Sequence, residues 1–110
     1  MPDTTPASAQ ERELYSRLRQ ILTTHGLLRG NLVEMHRACG RKNCRCHEAP
    51  RFRHRSLYLG LSLNGKHRMI YVPVAWEPTI REWVDRYHEA RDLLEQISCE
   101  CLDRLQRRSD

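Results

Sequence analysis

The sequence predicts an α+β fold: an N-terminal helix, a small three-stranded antiparallel sheet interrupted by a cysteine-rich loop, and a long C-terminal helix. Three observations carry this expectation. Two alternating apolar runs, "SLYLGLSL" and "KHRMIYVP", flank Asn64-Gly65. Apolar residues recur at helical spacing before and after them, and Cys39, Cys44 and Cys46 crowd into one short segment ahead of the hairpin. The 110 residues are one domain's worth of chain. A disordered polar tail is expected over residues 1–8 and a single α+β domain over 9–110.

The first helix has a clear start. Ser8-Ala9-Gln10-Glu11 has the form of a capping box, in which the Ser8 hydroxyl takes a helix N–H and Glu11 reaches back to the Ser8 backbone. Leu14, Leu18, Ile21, Leu22 and His25 follow at helical spacing, and Gly26 suits a left-handed C-cap. A helix is therefore expected over residues 9–25.

The sheet is anchored by its turn. Asn64 and Gly65 both tolerate positive φ, which a two-residue hairpin turn demands. Such a turn sets Leu63 opposite Lys66, Leu61 opposite Arg68, Leu59 opposite Ile70 and Leu57 opposite Val72. One face then carries Leu57, Leu59, Leu61, Ile70 and Val72 and suits a core. The other carries Tyr58, Ser62, His67, Met69 and Tyr71, with a gap at Gly60. On that face Tyr58 and Tyr71 could stack on a base or pack beneath a helix. Residues 30–38 are expected to add a third antiparallel strand, because an isolated hairpin is marginal in water.

Pro73 ends the hairpin, and Pro78 falls in the first turn of the last element, where a missing N–H does no harm. Trp76, Ile80, Trp83, Tyr87, Ala90, Leu94, Ile97 and Cys101 advance in alternating steps of four and three, a heptad-like seam. Val84, Leu93, Leu102 and Leu105 widen the stripe along a helix of about residues 77–107. That is longer than a three-stranded sheet covers. The first helix is expected to take part of this face. The remainder, with Trp83, Tyr87, Leu94, Ile97 and Cys101, is expected to serve a second copy or a partner protein. Cys101 reads as a small core residue of the seam and Cys99 as exposed.

The net charge of +5 is unevenly placed. Residues 29–72 carry ten basic residues against Glu34 and Glu48, a local charge of +8, whereas residues 73–110 carry −3. A concentrated cationic block attracts polyanions; the same charge spread evenly would only aid solubility. No apolar run approaches membrane-spanning length and the N-terminus lacks a signal-peptide pattern, so a cytoplasmic protein with no membrane association is expected. In a reducing compartment, clustered cysteines point to metal binding before disulfides.

Cys39, Cys44 and Cys46 follow a C-x4-C-x-C pattern. Zinc favours thiolates and imidazole in a tetrahedral shell, so a structural site needs a fourth ligand. His36, His47 and His54 are the candidates. His54 is favoured, because at the start of the second strand it would let one ion tie two strand ends together. His47 directly follows Cys46, a strained bite for two side chains on one metal, and His36 lies within the first strand. A thin core adds weight to zinc, since small folds often need a metal staple.

The order "GNLVEMHRACGRKNCRC", a histidine, "LYLGLSLNGKHRMIYVP" and "IREWVDRYHEARDLLEQIS" resembles a family of small uncharacterised bacterial and archaeal proteins. Its members share a strand ending in Cys-Gly, a C-x-C, a His-Gly-Pro-Tyr segment, a Gly-Lys/Arg hairpin ending in Tyr-Val-Pro, and a long helix with Trp and Tyr. Some lie near mobile elements or are loosely described as transposase-like. The resemblance covers about residues 30–100 and implies Cys39, Cys44, Cys46 and His54 as shared ligands. This chain departs from the pattern at His54-Arg55-Ser56, where Gly-Pro is usual.

A zinc loop would display Arg37, Arg41, Lys42, Arg45, Arg51, Arg53 and Arg55 as a rigid cluster, with Lys66 and Arg68 extending it from the hairpin. Planar guanidinium groups suit phosphate oxygens, and a pre-ordered loop loses less entropy on binding. The expected function is that of a zinc-stabilised accessory protein binding DNA or RNA, with a link to a mobile element. The alternative is a dimeric adaptor working through the long helix. An enzyme is not expected: there is no deaminase signature, no phosphate loop and no paired acids set for metal catalysis.

Overall fold

The computed structural model describes residues 7–108, so the tail expected over residues 1–8 falls largely outside it. The elements run α1 (Ala9–Leu22), β1 (Asn31–Arg37), two short 3-10 turns (Arg45–His47 and Pro50–Phe52), β2 (His54–Leu63), β3 (Lys66–Val72), a third 3-10 turn (Val74–Trp76) and α2 (Glu77–Gln106). The three strands form one antiparallel sheet in the order β1-β2-β3. The α+β class and its element order are as the sequence predicts. No helix among the described residues is long and apolar enough to cross a membrane.

Two compact units make up the chain: Leu28–Val84, and the chain on either side of it. The second is a helical unit. Leu14 and Leu18 of α1 pack with Ala90, Leu93 and Ile97 of α2, and Ile21 lies against them. The Ser8 hydroxyl accepts from the Glu11 N–H, as a capping serine should. The Glu11 carboxylate, however, accepts from Arg104 Nη2 at 2.9 Å and is buried, so the reciprocal half of the capping box gives way to a long-range ion pair.

The end of α1 differs from expectation. Gly26 does adopt φ +96°, but the helix has already stopped at Leu22. The hydroxyls of Thr23 and Thr24 donate to the Gln20 and Ile21 carbonyls, at 2.8 and 2.6 Å, and so satisfy the last turn early. Two β-branched threonines in a row then remove the incentive to continue.

The sheet unit has its own core of Leu57, Leu59, Val72 and Val84, with Leu28, Leu32, Leu61 and Ile80 packed against it. Leu57 and Val72 face each other across β2–β3, and the whole hairpin register, from Leu63 opposite Lys66 to Leu57 opposite Val72, follows from the turn. Asn64 and Gly65 sit at φ +51° and +78°, the left-handed pair a two-residue hairpin requires. Ile70 is a correction: it shares the core side with Leu59 but is 43% exposed, because on β3 the cluster takes in Val72 and stops short of Ile70. Ahead of β1, Gly30 has φ +142°, and a Cβ there would lie 2.8 Å from Leu59 Cδ1 and 2.9 Å from the Gly60 carbonyl oxygen. Only glycine lets the chain enter the sheet so closely.

Candidate metal centre

The pairing of β1 with β2 sets the site. Arg37 pairs with His54 at one end of the sheet, so the loop that leaves β1 returns to β2 at the same corner. Cys39 lies two residues past β1. Cys44 caps the 3-10 turn Arg45–His47, Cys46 sits inside that turn, and His54 opens β2. Tight turns compress the segment so that its donor atoms converge: those of Cys39, Cys44, Cys46 and His54 all lie within 4.8 Å of one another. These four residues could hold a metal ion.

The spacing between donors suits a small tetrahedral ion. Cys39 Sγ and Cys46 Sγ are 3.6 Å apart, and Cys44 Sγ lies 3.2 Å from His54 Nε2. Tetrahedral zinc, with Zn–S near 2.3 Å and Zn–N near 2.0–2.1 Å, sets those edges at about 3.8 and about 3.6 Å. A backbone N–H supports the sulfur cluster, since Cys39 N donates to Cys46 Sγ at 3.2 Å.

Electrostatics at the corner favour the thiolate form at two of the three cysteines, Cys39 and Cys44. A backbone hydrogen bond from Arg41, aided by Cys46, Cys44 and His54, brings the Cys39 thiol down to about 6 against the cost of burial. Backbone bonding from Cys46 and then the His54 ring lower Cys44. Burial pushes Cys46, only 3% exposed, in the opposite direction. The His54 pKa is raised, first by its hydrogen bond to Cys44. Thiolates gathered beside an imidazole are the protonation pattern that a soft divalent cation replaces with bonds.

The other two candidate histidines, His36 and His47, are engaged elsewhere. His47 Nε2 lies 2.8 Å from the Arg41 carbonyl oxygen, and the His36 ring lies 3.6 Å from Glu34 on β1. Of the three histidines weighed from the sequence, His54 alone joins the cluster.

The arginines and lysines fall into three settings. Arg37, Arg41, Lys42, Arg53, Lys66 and Arg68 are exposed. Arg45 and Arg51 stack on Phe52, their guanidinium carbons 4.0 and 4.7 Å from its ring centroid, which draws two cations to one spot on the loop. Phe52 is the chain's only phenylalanine, set between Arg51 and Arg53, and that arrangement was the available sequence signal. Arg55 is different. It donates to Glu34 and also to both oxygens of Glu77, at 2.8 and 3.1 Å, so two carboxylates neutralise it.

This bridge has a pH signature. Arg55 holds the Glu34 and Glu77 carboxyls below their ordinary value of 4.5 and is itself raised by Glu77 and Glu34. A depressed carboxylate pKa stabilises the fold above the unfolded value, and the benefit is lost as pH falls through the folded value. Glu77→Gln should therefore carry its full stability deficit relative to wild type at pH 6–7, and the deficit should close below about pH 4.5. Denaturant titration across that range checks it; a constant deficit would contradict the bridge.

The positions proposed for a partner fall in different settings. Trp83 and Tyr87 are half-buried, and Trp83 meets Trp76 edge-to-face at 6.2 Å and 74°. Ile97 is buried in the helical unit's core, and Leu94 is exposed. Cys101, expected as a core residue, is exposed, as is Cys99. α1 meets α2 through Leu14, Leu18 and Ile21 against Ala90, Leu93 and Ile97, and Cys101 lies one turn beyond that cluster.

A family model described as a domain of unknown function, DUF6788, matches residues 9–82. The chain belongs to the DUF6788 family. That span contains α1, the whole sheet and all four residues of the cluster, so the candidate metal centre lies inside the DUF6788 region. Neither the curated proteins nor the solved structures give a match.

Proposed function

We propose that this protein is a zinc-stabilised nucleic-acid-binding module whose loop presents arginine and lysine to phosphates. The observation that carries the reading is the coincidence of two features in one segment. Four donors converge at the sheet corner, and the loop between them holds Arg41, Lys42, Arg45, Arg51 and Arg53 against a single carboxylate, Glu48. Three sulfurs and one imidazole match a structural zinc site in ligand type and number. Bound zinc would supply rigidity. The chain's own residues do the rest: Cys46 buries one sulfur, the Cys39 N–H steadies it, and Phe52 gathers Arg45 and Arg51.

Four protein ligands leave no open position for water, which supports binding over catalysis. A place beside a mobile element rests on the family resemblance alone.

Phosphate binding through this loop makes salt dependence the decisive readout. Affinity for an oligonucleotide, followed by fluorescence anisotropy, should fall steeply with salt. Changing Arg41, Lys42 and Arg45 together to glutamine should lower the log–log slope by about 2–3, close to one unit per lost phosphate contact. A salt-independent complex, or no binding to DNA or RNA, would sink the proposal.

A second reading is favoured by one observation: Leu94, Leu102 and Leu105 on α2 are all exposed. That suits a dimeric adaptor. Leu94→Asp would convert a dimer to a monomer by light scattering while leaving oligonucleotide binding unchanged.

A further inference from the structure

Strand register divides the sheet into two unlike faces. Directly paired residues share a face, so Leu57, Leu59 and Val72 turn to the core with Glu34 beside them. On the opposite face Val33, Tyr58 and Tyr71 form one row across all three strands, followed by the row of Gly60 and Met69. Val33, Met69 and Tyr71 are exposed there, and Tyr71 is 53% exposed. An aromatic ring left this open on a sheet face, beside exposed apolar neighbours, is a surface in want of a ligand.

Three observations say which ligand. First, Tyr58 meets Tyr71 edge-to-face, with ring centroids 5.8 Å apart and planes at 67°. An edge-to-face partner fixes the Tyr71 ring without covering both of its faces. Second, no strand residue on this face is acidic; Glu34, the one carboxylate in the three strands, points to the other side. Third, Arg37 pairs with His54 on this same face, four residues along β1 from Val33, or about 13 Å at strand rise. The tyrosine row thus leads along the sheet to the metal corner and its cationic loop. A second copy of the same face would bring like charges together, whereas a polyanion with planar bases matches both the rings and the charge.

We propose that the open sheet face is a stacking platform for single-stranded DNA or RNA, with a base on Tyr71 and the backbone running toward Arg37 and the loop. Tyr58 is a positioning residue. Met69 Sδ and His67 Cε1, 3.2 and 3.6 Å from where a Gly60 Cβ would stand, fill the gap over Gly60. This inference rests on the nucleic-acid reading above and narrows it to unpaired strands, whose bases are free to stack; a duplex hides them.

The test compares a labelled poly-dT strand, a poly-U strand and a DNA duplex of equal length by anisotropy. The single strands should bind more tightly than the duplex. Tyr71→Ala should weaken single-strand binding about 5- to 150-fold, Tyr71→Phe should keep it, and the salt slope should stay as in wild type. Unchanged binding by Tyr71→Ala, or a preference for duplex, would overturn the platform while leaving the phosphate-binding loop intact. A dimer that Tyr71→Ala dissociates would also overturn it, by assigning the face to a second copy. No binding to any of the three would remove the nucleic-acid reading itself.

Discussion

Chelating the proposed zinc should unfold the sheet unit while sparing most of the helical one. Besides Cys46, the sheet unit has four buried apolar residues, Leu57, Leu59, Val72 and Val84, for a segment of Leu28–Val84. Between β1 and β2 the chain forms only two three-residue 3-10 turns, and within them Cys46 is the one buried residue. A loop of this kind has little besides its ligands to hold it. Removing the ion leaves the lowered thiols of Cys39 and Cys44 beside Cys46, whose burial favours its neutral form, with no bond joining them across the corner. Metal binding free energy is folding free energy in such small sites. A strong chelator, or Cys46→Ser, should lower the melting temperature of the sheet unit by more than about 20 °C or abolish its transition. Amide exchange read at β1 and β2 separates this from helix melting, because Leu14, Leu18, Ala90, Leu93 and Ile97 form a core without any ligand residue. Sheet amides that stay protected in the chelator would contradict the proposed role of the ion.

Leu93→Ala should be the most damaging single truncation in the helical unit. Leu93 is 1% exposed and central to a five-residue cluster, so deletion leaves a cavity with few neighbours to refill it. The cost is about 2–5 kcal/mol, a large share of the stability a small unit possesses. Its neighbour provides the control. Leu94 is 55% exposed, and Leu94→Ala should change stability by less than about 0.5 kcal/mol. Denaturant unfolding of both variants checks the contrast. Equal effects would mean that the assignment of inner and outer faces on α2 is wrong. Metal content should not change in either variant.

Much of the sheet was legible because its signals are local. Asn64-Gly65 determines a turn, the turn determines a register, and the register brings Leu57 to Val72. His54 was legible for a related reason: antiparallel pairing returns the chain to the corner where Cys39 left it. What escaped depends on distant partners. Glu11 is 93 residues from Arg104, and Arg55 is 22 from Glu77, so no window of sequence shows that these pairs meet. Ile70 alternates correctly yet is exposed, because periodicity marks a face and cannot say how far the covering residues extend. Cys101 fails in the same way at the far end of α2. Thr23 and Thr24 ended α1 through their own hydroxyls, a local signal that the more conspicuous Gly26 obscured.

Everything proposed for the loop depends on an ion held by Cys39, Cys44, Cys46 and His54, and metal stoichiometry tests that most directly. Elemental and native mass spectrometry of the purified protein should find one zinc per chain, lost in Cys44→Ser and lost or greatly weakened in His54→Ala, with His47→Ala unaffected. A wild-type protein without stoichiometric metal, or zinc retained in both Cys44→Ser and His54→Ala, would contradict it.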